Sequence, residues 1–102
     1  MANSKEFVEF VTEQCEGLSV RPMMGDHVLY YREKTVGGIY DNRLLVKPTQ
    51  SAKRLMSTAE FQLPYEGAKE MIQVENIEDP SFMKTLFESM YEELPLPKKR
   101  RR

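Results

Sequence analysis

Tryptophan is absent from this chain of 102 residues, cysteine and histidine occur once each, and glycine only five times. A single cysteine cannot pair within the chain, which excludes a disulfide scaffold and fits a reducing cytoplasm. One Cys and one His also fall short of the four ligands a structural zinc site usually takes. Long apolar runs are missing as well. The longest is Val28-Leu29-Tyr30-Tyr31, far below the roughly 20 residues of a membrane span. The opening Met-Ala-Asn-Ser-Lys-Glu lacks the apolar stretch of a secretion signal. No phosphate-binding loop is present either. Gly37-Gly38 is a bare pair without the flanking Gly, Lys or Ser/Thr of a nucleotide cradle. It reads instead as a bulge or as the close approach of another backbone, such as a helix packed on a sheet. Cofactor and metal are therefore both expected to be absent.

Charge of one sign is scarce only in appearance. Fifteen Lys and Arg stand against 16 Asp and Glu, a net charge of −1. The last five residues, Lys98, Lys99, Arg100, Arg101 and Arg102, are all basic, however. Without them ten basic residues face 16 acidic ones, so the body carries −6 and the tail +5. A uniformly basic nucleic-acid binder is excluded.

The apolar pattern of the body changes period along the chain. Ser4 is placed to cap a helix, and Phe7, Val8, Phe10, Val11, Cys15 and Leu18 recur at helical spacing opposite Glu6, Glu9, Glu13 and Glu16. This predicts an amphipathic helix over residues 4–17, closed by Gly17. Residues 27–32, 35–40 and 43–47 are rich in Val, Ile, Leu and Tyr and read as strands, separated by Glu33-Lys34 and Asp41-Asn42. An edge strand near residues 20–24 can absorb the donor that Pro22 withholds. A short helix over 51–56, an extended or irregular stretch at 61–65 and a last strand at 71–75 follow. Asp79-Pro80 then opens a helix whose stripe is Phe82, Met83, Leu86, Phe87, Met90, Tyr91 and Leu94. The sum is one α+β domain over residues 1–94, an antiparallel β-meander flanked by N- and C-terminal amphipathic helices. Residues 95–102 read as a disordered basic tail.

Few residues suggest chemistry. Cys15 lies on an apolar stripe, where a buried structural thiol is the ordinary occupant. His27, beside Asp26 at the start of a strand, reads as a solvated turn residue. Glu75, Glu78 and Asp79 cluster before a helix without the spacing of a cation loop. Glu92-Glu93 reads as a solvated face. Tyr30, Tyr31, Arg32, Tyr40 and Arg43 bring aromatics and cations together on adjacent strands, as base-stacking platforms do. Alternation sends Tyr30 and Tyr31 to opposite faces, and sheet packing is the simpler reading.

Several stretches together have a familiar order: Arg21-Pro22-Met23-Met24-Gly25, Leu29-Tyr30-Tyr31, Gly38-Ile39-Tyr40-Asp41-Asn42 and Leu45-Val46-Lys47. The pattern resembles the N-terminal domain of the TfoX/Sxy family of bacterial competence regulators. There an Arg-x-Met-(Phe/Met)-Gly turn precedes a Tyr-rich hairpin and a strand ending in Lys. Arg21, Met23, Met24, Gly25, Tyr30, Tyr31, Gly38, Tyr40 and Lys47 carry the match. The resemblance covers residues 4–94 and implies a curved antiparallel sheet flanked by helices. It also implies a non-enzymatic transcriptional co-regulator working with a cyclic-AMP-responsive DNA-binding protein, and it brings no catalytic residue. Longer family members carry a second, C-terminal domain, and this chain has the basic tail in its place.

The functional expectation is thus a cytoplasmic, non-enzymatic interaction module whose partner is a protein of the transcription machinery, with a homodimer compatible with its size. The alternative is weak nucleic-acid binding through residues 98–102, which would be salt-sensitive. A third reading is a small enzyme or ligand-binding domain with a site near Arg21, His27, Tyr30 and Lys47.

Overall fold

A computed structural model describes residues 3–95. The basic residues 98–102 lie outside the described residues. The first helix, α1 (Lys5–Glu13), starts where Ser4 Oγ accepts the Phe7 N–H at 3.1 Å. It ends at the Gln14 cap rather than at Gly17. Gly17 does take a left-handed conformation (φ +101°), but it sits in the following turn, where its carbonyl accepts the Arg32 N–H at 2.8 Å. Cys15 accordingly lies just beyond the helix, still buried, and Phe10 is 38% exposed rather than part of the core stripe.

Strands β1 (Leu18–Met23), β2 (Asp26–Tyr31), β3 (Lys34–Tyr40) and β4 (Arg43–Val46) form the meander. Each turn has two residues. Met24-Gly25 and Asp41-Asn42 both hold positive φ at both positions, the geometry whose twist matches paired strands. The middle turn is Arg32-Glu33, one residue earlier than the composition suggests, with Arg32 at φ +59°. Lys34 belongs to β3. It is 8% exposed because its ammonium donates to the Tyr91 carbonyl at 2.7 Å and lies 4.0 Å from the Tyr91 ring centre.

After β4 come α2 (Gln50–Leu55), β5 (Phe61–Gln62), β6 (Met71–Gln73) and α3 (Pro80–Glu93). The chain reaches the outer strand β5 first and returns inward as β6. The six-stranded antiparallel sheet therefore runs β1-β2-β3-β4-β6-β5, with β1 and β5 as edges. Pro22 lies on the β1 edge, as its missing donor requires. Asp79 caps α3 by accepting the Phe82 N–H at 3.2 Å, and Pro80 opens the helix.

All three helices cover one face. The core joins Leu29, Tyr31, Val36, Ile39, Leu44, Val46 and Ile72 of the sheet to Val11, Ala52, Met83, Leu86, Phe87 and Met90 of the helices. The expected α+β class is the observed one. The Gly37-Gly38 pair does permit a close approach, though not of a helix. A Cβ on Gly37 would overlap the Leu45 carbonyl of the neighbouring strand, and one on Gly38 would meet the Tyr40 ring at 2.6 Å. The register of β2 against β3 slips beside this pair, between Leu29 and Tyr30. Among the described residues no helix is long and apolar enough to cross a membrane.

Candidate functional site

Cys15 and His27 do not form a reactive pair. Cys15 is 8% exposed, its Sγ donates to the Glu16 carbonyl at 3.6 Å, and burial, followed by the nearby Glu88 carboxylate, pushes its thiol above the ordinary range. It lines a cleft with Tyr31, at one end of β2. His27 is at the other end, four residues or about 13 Å away along the strand. It is a half-buried strand residue, not a solvated turn residue. Its Nδ1 lies 2.9 Å from Asn3 Nδ2, which also donates to the Ile39 carbonyl at 2.7 Å. Among the described residues no three His, Cys, Asp or Glu side chains converge as metal ligands. Asp79 serves as the cap of α3, and Glu75 and Glu78 are exposed.

The cleft beside Cys15 measures about 540 Å³, and of the charged residues that line it, Glu16, Arg32, Lys84 and Glu88, the second and the last pair with each other. Tyr31 Oη donates to Glu88 Oε2 at 2.9 Å, and Arg32 Nη2 reaches the same oxygen at 3.2 Å. The Arg32 guanidinium also lies 5.1 Å from the Tyr31 ring centre and 5.6 Å from that of Tyr91. Burial and the Glu88 carboxylate raise the Tyr31 hydroxyl above its usual range. This cluster fastens the β2–β3 turn to α3.

The opposite face of the sheet is different. Strand alternation sends every second side chain away from the helices. Cross-strand register aligns Arg21, Val28, Gly38 and Leu45 in one such row, while the adjoining Leu29, Ile39, Leu44 and Val46 point into the core. Arg21, Met23, Tyr30, Tyr40 and Lys47, five of the residues that carry the TfoX-like pattern, thereby share this open face. Tyr31 goes to the core, and Met24-Gly25 makes the turn at its rim. Gly38 contributes an absence, since the space of its missing side chain is taken by the Tyr40 ring. Of the aromatic and cationic residues suggested as a stacking platform, only Tyr30, Tyr40 and Arg43 belong here.

Arg43 is occupied in shaping the surface. Its Nε donates to the Tyr40 carbonyl at 3.1 Å, and Nη1 donates to Gln62 Oε1 at 2.8 Å and to the Leu63 carbonyl at 3.3 Å. These bonds hold segment 63–70 against the sheet, so that the Tyr65 ring stands 6.2 Å from the Tyr40 ring. Burial, aided by Tyr65 and Asp26, raises the Tyr40 hydroxyl. Two clefts of about 370 and 450 Å³ meet at Val28, Tyr40 and Tyr65. The first is bounded by Met23, Met24 and Asp26, the second by Lys47, Lys69 and Met71. Met24 is 97% exposed, Tyr65 60%, Met23 53% and Leu63 47%. Met23, Met24 and Tyr65 thus gather exposed apolar surface beside the first cleft.

Tyr65 and Leu63 are not among the residues that the sequence pattern singles out. Their signal is faint: an apolar Leu-Pro-Tyr in a segment otherwise read as irregular. His27, grouped by sequence with Arg21, Tyr30 and Lys47 as a ligand site, borders the first cleft, while alternation places its side chain on the helix-covered side of β2, where Nδ1 meets Asn3.

No family model matches the chain, and no solved structure matches it. A protein of Spirochaeta aurantia, described as an uncharacterized 12.7 kDa protein in the trpE 5′ region, is 36% identical over 106 residues. The alignment takes in 99% of this chain and 91% of that protein.

Proposed function

The chain belongs to the family of that Spirochaeta aurantia protein, and we propose that it is a non-enzymatic regulatory module of the bacterial cytoplasm, TfoX-like in character, that docks a protein of the transcription machinery on its open sheet face. One observation carries this reading. Helices cover one side of the sheet, while the other presents Met23, Met24 and Tyr65 around clefts floored by Val28 and Tyr40. The separation of Cys15 from His27 supports a non-catalytic role. The resemblance in sequence supplies the partner class, a cyclic-AMP-responsive DNA-binding regulator.

Biolayer interferometry of the full chain against that regulator from the same host tests the reading. Met24→Asp combined with Tyr65→Asp changes two exposed side chains, so the fold should survive by circular dichroism. The expected result is binding by the native chain that weakens at least about tenfold in the variant, since interface anchors commonly cost more than 1 kcal/mol each. Absence of binding, or binding indifferent to the variant, overturns it.

A further inference from the structure

The open face is not the only incomplete surface on this chain. On α1, Glu6, Glu9 and Glu13 are all exposed, and Lys5 is the helix's only basic residue. Successive helical residues are 100° apart, so these three carboxylates share one outward stripe. Phe10 stands at its border, 38% exposed, between the stripe and the buried Val11. An exposed phenyl ring edged by carboxylates is thus carried on one side of the sheet.

Across the sheet lies a surface of the complementary kind. The cleft between Met24, Tyr40 and Tyr65, about 370 Å³, has room for a phenyl ring. Lys47 and Lys69 line the adjoining cleft, and Arg21 is on the same face. Asp26 and Glu70 line these clefts as well, so the charges lining them balance, and the excess of one cation comes from Arg21 beside them on the same face. The ion pair found among the described residues joins Arg32 to Glu88, which belongs to neither surface.

We infer that the outer face of α1 in one copy of the chain docks on the open sheet face of a second copy, with Phe10 entering the cleft between Tyr40 and Tyr65 and the α1 glutamates facing Lys47, Lys69 and Arg21. The two surfaces lie on opposite sides of one sheet, so a chain cannot satisfy its own. The contact is head to tail, and such contacts either close into a ring or continue as a chain of copies. Exposed pairs are individually weak and screened by salt, so association is favoured by high protein concentration and low ionic strength. Self-docking covers the surface assigned above to a regulator. It does not depend on that assignment.

Sedimentation velocity of the full chain at low salt, over about a hundredfold range of concentration, is the test. The weight-average mass is expected to rise above that of a single chain. Lys47→Glu with Lys69→Glu is expected to weaken association about tenfold, through lost pairs and new repulsion. Adding Glu9→Lys and Glu13→Lys to the same chain is expected to restore it, because the exchanged charges again match. A chain that stays monomeric throughout overturns the inference. So does association that ignores the reversal, as two open faces pairing through apolar contact alone would give, or a four-site exchange that restores nothing. Failure of self-association leaves regulator binding measurable on the monomer, so the two results are separable.

Discussion

At the scale of single residues, Gly37 and Gly67 are opposites. A Cβ at Gly37 would overlap the Leu45 carbonyl and lie 2.7 Å from Val46 Cα, both of them backbone that cannot rotate away. Gly67 holds φ +89° with nothing near its absent side chain. Gly37→Ala should therefore force β3 from β4 and destabilise by about 2–3 kcal/mol, whereas Gly67→Ala should cost only the left-handed backbone, about 1 kcal/mol. Urea unfolding midpoints measure both. The glycine pair betrayed a close approach in the sequence, but not its source. That depends on the register between two strands, which neither strand's own pattern contains. Cys15 is buried, as its place in the apolar spacing predicts, although it lies beyond the helix, because that spacing follows the core rather than the helix end. Burial raises its thiol pKa, so at pH 8 alkylation of the folded chain should be at least about tenfold slower than in urea, where the thiolate fraction is ordinary. Equal rates would mean that the thiol is open to solvent.

At the scale of elements, α2 shows what periodicity cannot reach. Six residues cannot sustain a helix alone. Thr49 Oγ1 accepts the Ala52 N–H at 3.1 Å, and Glu93, from the end of α3, accepts the Ser51 N–H at 3.0 Å and the Ser51 hydroxyl at 2.6 Å. Glu93 thus satisfies a free donor of another helix's first turn and places its charge at the favourable end of that helix's dipole. In sequence it belonged to a solvated pair, because a stripe describes only the helix that bears it. The bonds from Ser51 hold the Glu93 carboxyl below its ordinary value of 4.5. A depressed folded pKa gives stability that is present above the unfolded value and lost as pH falls through the folded one. Glu93→Gln should therefore lower the melting temperature at pH 7, with the gap from the native chain closing as pH drops below about 4.5. A gap independent of pH would show that the charge contributes nothing. The ends of α1 and α3 were legible where a side chain caps its own helix, as Ser4 and Asp79 do. Gly17 misled because a left-handed glycine marks any tight turn, and Lys34 misled because a lysine reads as a turn residue while its stem is buried and its ammonium is held by Tyr91.

At the scale of the whole molecule, the open face collects Arg21, Met23, Tyr30, Tyr40 and Lys47 because consecutive two-residue hairpins return each strand beside the last, with alternation then sorting the faces. That part was legible once the strands were assigned. Tyr65 was not, since it reaches the face only through the bonds of Arg43 to segment 63–70, and no local pattern encodes an arginine's choice among carbonyls. The division of charge permits a last separation of roles. Residues 98–102 bring five cations to a body of −6. Such a tail can release at most about five counterions from duplex DNA, so log affinity against log salt should be no steeper than about −4.5. Between 50 and 200 mM salt that limit is a loss of about 500-fold. A chain shortened by these five residues leaves the open face intact, whereas its only concentrated cationic segment is gone. If the open face is the working surface, the shortened chain should bind the regulator as the full chain does, while any DNA binding disappears with its salt slope. Parallel titrations of both chains against regulator and duplex measure the two effects. Loss of regulator binding on shortening would move the function from the sheet to the tail, and DNA binding with an unchanged slope would locate the phosphate contacts on the body instead.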